Sequence, residues 1–226
     1  MARKLIELSN VWKTYTMGEN QVHALRGLTL DVREGEFLAI MGPSGSGKST
    51  AMNMIGCLDV PTKGEIKLDG MNIANMRESE LAIVRGRKIG FIFQKFNLIN
   101  TLTAKENVML PLVFQGMPEQ EREERADEVL ATVNLTDRMD HKPNELSGGQ
   151  QQRVAIARAL AVKPSVILAD EPTGNLDSTT GQTVMHFLKE LHKKEKTTIV
   201  LVTHDINVAK NAQRVEILKD GAIHKR

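Results

Sequence analysis

Cysteine is nearly missing from this 226-residue sequence. Cys57 stands alone, so an intrachain disulfide is excluded, and no Cys/His cluster has zinc spacing. The expected setting is a reducing compartment with no structural metal, and the expected role of Cys57 is that of a small buried hydrophobe. Long apolar runs are missing too. The longest strongly apolar stretch, Val108 to Phe114, falls far short of the roughly 20 residues a bilayer-spanning helix needs. The N-terminal Met1-Ala-Arg-Lys-Leu-Ile-Glu carries charge with no apolar stretch behind it, so no signal peptide and no membrane span are expected. Charge of one sign is scarce: 30 Lys+Arg against 28 Asp+Glu give a net +2, which argues against a nucleic-acid partner held by the overall field. Aromatics make up only 4%, with one Tyr and one Trp, so each invites a question about its use.

What is present is ordinary in bulk and unusual in detail. Hydrophobic residues at 41% and charged residues at 26% suit one α/β domain with a buried core. From Leu5 to about Phe37 the chain reads as short strands joined by turns. Phe37 to Met41 is a buried strand, Gly42 to Gly47 a glycine-rich loop, and Lys48 to Leu58 a helix. Asp69-Gly70 and Asp220-Gly221 mark hairpins. Ile89 to Phe93 is a strand. Beyond Gln94 the pattern turns helical to about Ala161, with Pro118 opening a charged amphipathic helix. Alternation then resumes with a strand at Val166 to Ala169, a helix from Thr180 to Lys194, and a strand at Thr198 to Val202. No repeat or linker divides the chain, so residues 1–226 read as a single domain.

Three motifs carry chemistry. Gly42-Pro43-Ser44-Gly45-Ser46-Gly47-Lys48-Ser49 fits G-x-x-x-x-G-K-[ST] and lies between strand and helix, where backbone N–H groups and a helix N-terminus face phosphate oxygens. In that setting Lys48 neutralises the β/γ-phosphates and Ser49 ligates Mg²⁺. Asp170-Glu171 ends a buried strand. Two carboxylates there are costly unless a cation or a hydrogen-bond network meets them, so Asp170 suits a metal-bound water and Glu171 the attacking water; the alternative is an exposed turn before Pro172. Leu146-Ser147-Gly148-Gly149-Gln150 opens a helix with a good N-cap and a bare backbone, presenting an anion-binding terminus.

In this order and spacing the motifs resemble the ATP-binding cassette (ABC) transporter ATPases over essentially the whole chain. The resemblance implies a P-loop NTPase (RecA-like) core with an N-terminal antiparallel β subdomain and a helical subdomain inserted at about 95–161. It implies ATP and Mg²⁺ as ligands, with the loop through Thr50 on the nucleotide. It also implies a head-to-tail homodimer on ATP binding, in which Ser147, Gly148, Gly149, Gln150 and Asp177 reach the partner's nucleotide. By the same resemblance Tyr15 stacks on adenine, with packing in the β subdomain as the alternative and Trp12 a weaker candidate. Gln94 reaches Mg²⁺ and the attacking water, and His204 contacts the γ-phosphate. Lys48, Gln94, Glu171 and His204 are thus the expected catalytic set.

With no span of its own, the chain is expected to act on integral membrane subunits from the inner face of the cell membrane. Phe96 to Asn100 and Leu110 to Phe114 are candidates for their docking groove, with internal packing as the alternative. The wording of the motifs is similar to the lipoprotein-release and macrolide-exporter branch, which implies export; driving a non-transport process such as cell-division signalling is the alternative. A chromosome-maintenance ATPase would need a long coiled coil between Gln94 and Ser147, a ribosome-acting factor usually has two cassettes, and a guanine site would carry Asn-Lys-x-Asp. None of these is present.

Overall fold

A computed structural model describes residues 3–18 and 20–224. The chain opens with β1 (Lys4–Met17) and β2 (Asn20–Arg33), an antiparallel pair of 14-residue strands. They replace the several short strands expected there. Their register shifts near Ile6, Val11, Trp12 and Thr14, and each shift breaks the in–out alternation. β4 (Lys63–Leu68) and β5 (Met71–Asn72) complete a four-stranded sheet in the order β2-β1-β4-β5. Asp69 and Gly70 join them with φ of 54° and 78°, the doubly left-handed turn that matches strand twist.

The second sheet runs β10-β9-β3-β8-β7-β6. β3 (Phe37–Met41) pairs in parallel with β8 (Thr198–Thr203) and β9 (Arg214–Lys219). β7 (Val166–Asp170) pairs in parallel with β8 and with β6 (Ile89–Ile92). β10 (Ala222–Ile223) closes the edge antiparallel to β9. β8 is buried throughout, as a parallel strand covered on both faces must be.

Helix α1 (Lys48–Ile55) follows β3, and α2 (Glu78–Lys88) leads into β6. Between β6 and β7 come α3 (Ala104–Phe114), α4 (Glu119–Thr132) and α5 (Gly148–Ala161). Val108, Leu112, Ala126, Leu130, Val154 and Ile156 from these three helices share one core with Ile167 and Leu201 of the sheet. A second core joins β1, β2 and α1 to the other face of the sheet and holds Cys57, fully buried, its thiol pushed up to about 11 by desolvation. α6 (Ser178–Glu195) and α7 (Ile206–Ala209) finish the helical set. No helix among the described residues is long and apolar enough to cross a membrane.

Candidate active site

β3 delivers the chain to Gly42, where a Cβ would lie 2.2 Å from the Leu218 carbonyl and 2.7 Å from Ser46 Oγ. Only glycine fits that approach. Gly45 and Gly47 then turn through left-handed φ of 76° and 98°, and α1 starts with Gly47 as its N-cap. A glycine has no side chain to cap with, and the first turn holds no acidic residue. Among the described residues, the N–H groups of Gly45, Gly47, Lys48, Ser49 and Thr50 therefore meet no acceptor. They surround a cleft of about 690 Å³ lined by residues 43–45 and 47–50, by Val22, His23 and Ala24 of β2, and by Glu171 and His204. Lys48, buried, donates from Nζ to the carbonyls of Gly42 and Pro43 at 2.8 Å each.

The two strand ends bring Glu171 and His204 to the same cleft, with Asp170 as the last residue of β7 just before Glu171. Parallel pairing of β7 with β8 sets Asp170 beside Val202, and the Glu171 N–H donates to the Val202 carbonyl at 2.9 Å. Glu171 itself sits in the left-handed region at φ 43°, an uncommon place for a residue with a Cβ. Its Oε1 accepts from His204 Nδ1 at 2.7 Å, so the ring is held with that nitrogen protonated. Burial raises the Asp170 pKa, Glu171 raises it further, and Lys48 opposes both. A carboxylate so placed lacks a full countercharge. With the Ser49 hydroxyl in the cleft, the oxygen donors suit Mg²⁺, which takes few protein ligands and keeps waters.

Other expected site residues lie outside this cleft. Gln94 is exposed; its side chain packs so closely on Gly174 that a Cβ there would be 2.7 Å from Gln94 Nε2, and its carbonyl accepts from Asn175 Nδ2 at 2.9 Å. Ser147 caps α5, its Oγ accepting from the Gln150 N–H at 3.3 Å while Gln150 Oε1 accepts from the Ser147 N–H at 2.8 Å. Gly148 and Gly149 face Leu176 and Thr180. Asp177 caps α6, accepting from the N–H groups of Thr179 and Thr180. Tyr15 lies across the strand pair from Val22, which lines the cleft: its hydroxyl donates to Asp59 Oδ2 at 2.9 Å, and Lys13 Nζ lies 4.9 Å from its ring centre. Trp12 donates from Nε1 to Asn10.

Sequence reasoning missed Val22, His23 and Ala24. Nothing local marks them; the pairing of β1 with β2 sets Val22 opposite Tyr15, and Gly221 wedges between the loop and β2. There the Arg26 N–H donates to the Gly221 carbonyl, and the Gly221 N–H donates to the Ser46 carbonyl.

Comparison with known proteins gives this arrangement a family. Residues 25–174 match the family described as ABC transporter. The chain is 55% identical over 225 residues to an uncharacterized ABC transporter ATP-binding protein, MJ0796, of Methanocaldococcus jannaschii, covering 98% of this chain and 96% of that one. It is 53% identical to the uncharacterized ABC transporter ATP-binding protein YknY of Bacillus subtilis, covering 97% and 95%. It is 50% identical to the macrolide export ATP-binding/permease protein MacB of Aggregatibacter actinomycetemcomitans, where it spans 97% of its own length but only 34% of MacB. Among solved structures, a dimeric post-hydrolysis state of MJ0796 bound to ADP and Pi superposes with a TM-score of 0.88 at 54% identity, covering 97% of each chain. A phosphate-binding loop, a carboxylate pair and a strand-end histidine on this scaffold lead to one conclusion: the chain belongs to the ABC transporter family, as an ATP-binding, ATP-hydrolysing subunit.

Proposed function

We propose that two copies of this chain clasp two ATP molecules head to tail, and that closure and reopening drive separate membrane subunits. The observation that carries the reading is the division of the site: the loop, Glu171 and His204 line one cleft, while Ser147 and Asp177 lie elsewhere on the same chain. In the closed pair the phosphates rest on the uncapped N–H groups of residues 45 and 47–50, and Lys48 turns from the Gly42 and Pro43 carbonyls to the β/γ-phosphates. Ser49, and Asp170 through a water, would hold Mg²⁺, which when bound would neutralise phosphate charge. Glu171 orients and deprotonates the attacking water, and His204 steadies Glu171 and faces the γ-phosphate. Gln94 leaves Gly174 to reach the water, and Tyr15 offers its ring to adenine. Ser147, Gly148, Gly149, Gln150 and Asp177 act across the dimer. A dimeric relative holding ADP and Pi supports the pairing. Replacing Glu171 by Gln should leave ATP binding intact and cut turnover by about 10²–10⁴; steady-state phosphate release equal to wild type would refute the assignment.

The membrane partner docks on the helical side, at the cytoplasmic face of the membrane. A cleft of about 320 Å³ lined by Phe91, Phe93, Asn97, Pro111 and Arg158 suits a helix from that subunit. Val113 and Phe114 stand exposed near it, Phe114 at 84%, while Leu112 is buried. The docking segment expected from the sequence thus divides between core and surface. Crosslinks from Phe114 to a co-expressed membrane subunit would support this, and their absence from an assembled complex would refute it. Likeness to MacB points to export as the work done.

A further inference from the structure

The catalytic carboxylate needs a fixed backbone, and its turn is tied on three sides. Glu171 N–H donates to the Val202 carbonyl, and Gly174 N–H closes the turn on the Glu171 carbonyl, each at 2.9 Å. The third tie comes from outside the β-sheet. Gln152, fully buried in the second turn of α5, donates from Nε2 to the carbonyl of Pro172 at 2.7 Å. Pro172 is buried as well and has no N–H of its own to anchor it. The residue held in the left-handed region at φ 43°, Glu171, directly precedes this bonded carbonyl.

Burying an amide here carries a cost. Among the described residues Gln152 Oε1 has no hydrogen-bond partner, so half of the group is desolvated without compensation. For packing alone, an apolar side chain of the same length would serve better at the Oε1 end. At the start of α5, Gly148 faces Leu176, and Gly149 faces Thr180 Cγ2 of α6, where a Cβ would come to 2.4 Å. These contacts fix how close the helix comes. The single amide bond fixes the Pro172 peptide, and with it the direction in which the Glu171 side chain leaves the backbone.

We infer that Gln152 is a positioning residue for ATP hydrolysis: through Pro172 it aims Glu171 and links that aim to the seating of the helix capped by Ser147. The inference rests on the reading that Glu171 activates the water. Gln152→Met keeps the length and removes the donor. Its kcat should fall about tenfold with KM for ATP within about twofold, because binding groups are untouched and only the transition-state geometry is lost. Because Gln152 works through Glu171, adding Gln152→Met to Glu171→Gln should not slow single-turnover hydrolysis further. An unchanged kcat in Gln152→Met, or a full tenfold further loss in the Glu171→Gln background, would overturn the inference while leaving the role of Glu171 standing. Full turnover by Glu171→Gln alone would remove the reading beneath it. If Gln152→Met does not fold, Gln152→Leu, which likewise offers Pro172 no donor, is subject to the same two measurements.

Discussion

Asp170 is under tension between two demands. Desolvation and the neighbouring Glu171 raise its pKa, with Lys48 pulling the other way. A carboxyl whose pKa rises on folding adds most stability below its unfolded pKa, and that contribution is lost as pH climbs through the raised native value. At neutral pH its charge is therefore a burden on the nucleotide-free protein. Asp170→Asn should raise the nucleotide-free Tm, by on the order of 2 °C, while weakening Mg²⁺-ATP binding; differential scanning fluorimetry with and without ligand checks both. Lys48 presents the converse case. Its ammonium is held between two carbonyls at 2.8 Å, which on the proposed reading it exchanges for phosphate. Lys48→Ala should weaken ATP binding at least about tenfold by titration calorimetry, a charge-assisted bond being worth about 1.5–3 kcal/mol. The loop, the carboxylates and His204 were legible as residues, since each sits at the end of an apolar run that reads as a buried strand. Val22, His23 and Ala24 were not, because β2 reaches the loop through Gly221, from the far end of the chain.

Elements show the same division for a different reason. The strands and helices of the second sheet are readable because buried parallel strands are continuous apolar runs, as in Ile199 to Val202. β1 and β2 are harder, because their bulges reset the period of two and make 14-residue strands look like several short ones. α2 gave no signal: Leu81 is its one buried residue, so the stripe that marks an amphipathic helix is absent. Its end is held instead by charge. Lys88 Nζ donates to Asp69 Oδ2 at 2.8 Å, and Arg3 also pairs with Asp69, joining the end of α2, the residue before β1 and the β4–β5 turn. The hydrogen bond from Lys88 lowers the Asp69 pKa, burial opposes it, and the charges of Lys88 and Arg3 add to the lowering. A depressed carboxyl stabilises above its unfolded pKa and loses that contribution as pH falls through the native value. Asp69→Asn should therefore cost about 1 kcal/mol in urea melts at neutral pH, and the difference from wild type should vanish in strong acid.

At the scale of the whole molecule, the proposed function divides one site between two surfaces that must meet to complete it. On the proposed reading one copy offers the loop, Glu171 and His204, which line one cleft, and the helix capped by Ser147 serves the other half-site. Moving a two-state population from mostly open to mostly closed takes a differential of about 5.5 kcal/mol, which the proposal assigns to two nucleotides sharing one interface. Hydrolysis removes the γ-phosphate and with it that preference, so work and turnover are one cycle. The most direct measurement is sedimentation velocity of the Glu171→Gln variant with saturating Mg²⁺-ATP and then with Mg²⁺-ADP. Dimers with ATP and monomers with ADP are the expected result; a variant that binds ATP yet sediments as a monomer would contradict the shared site.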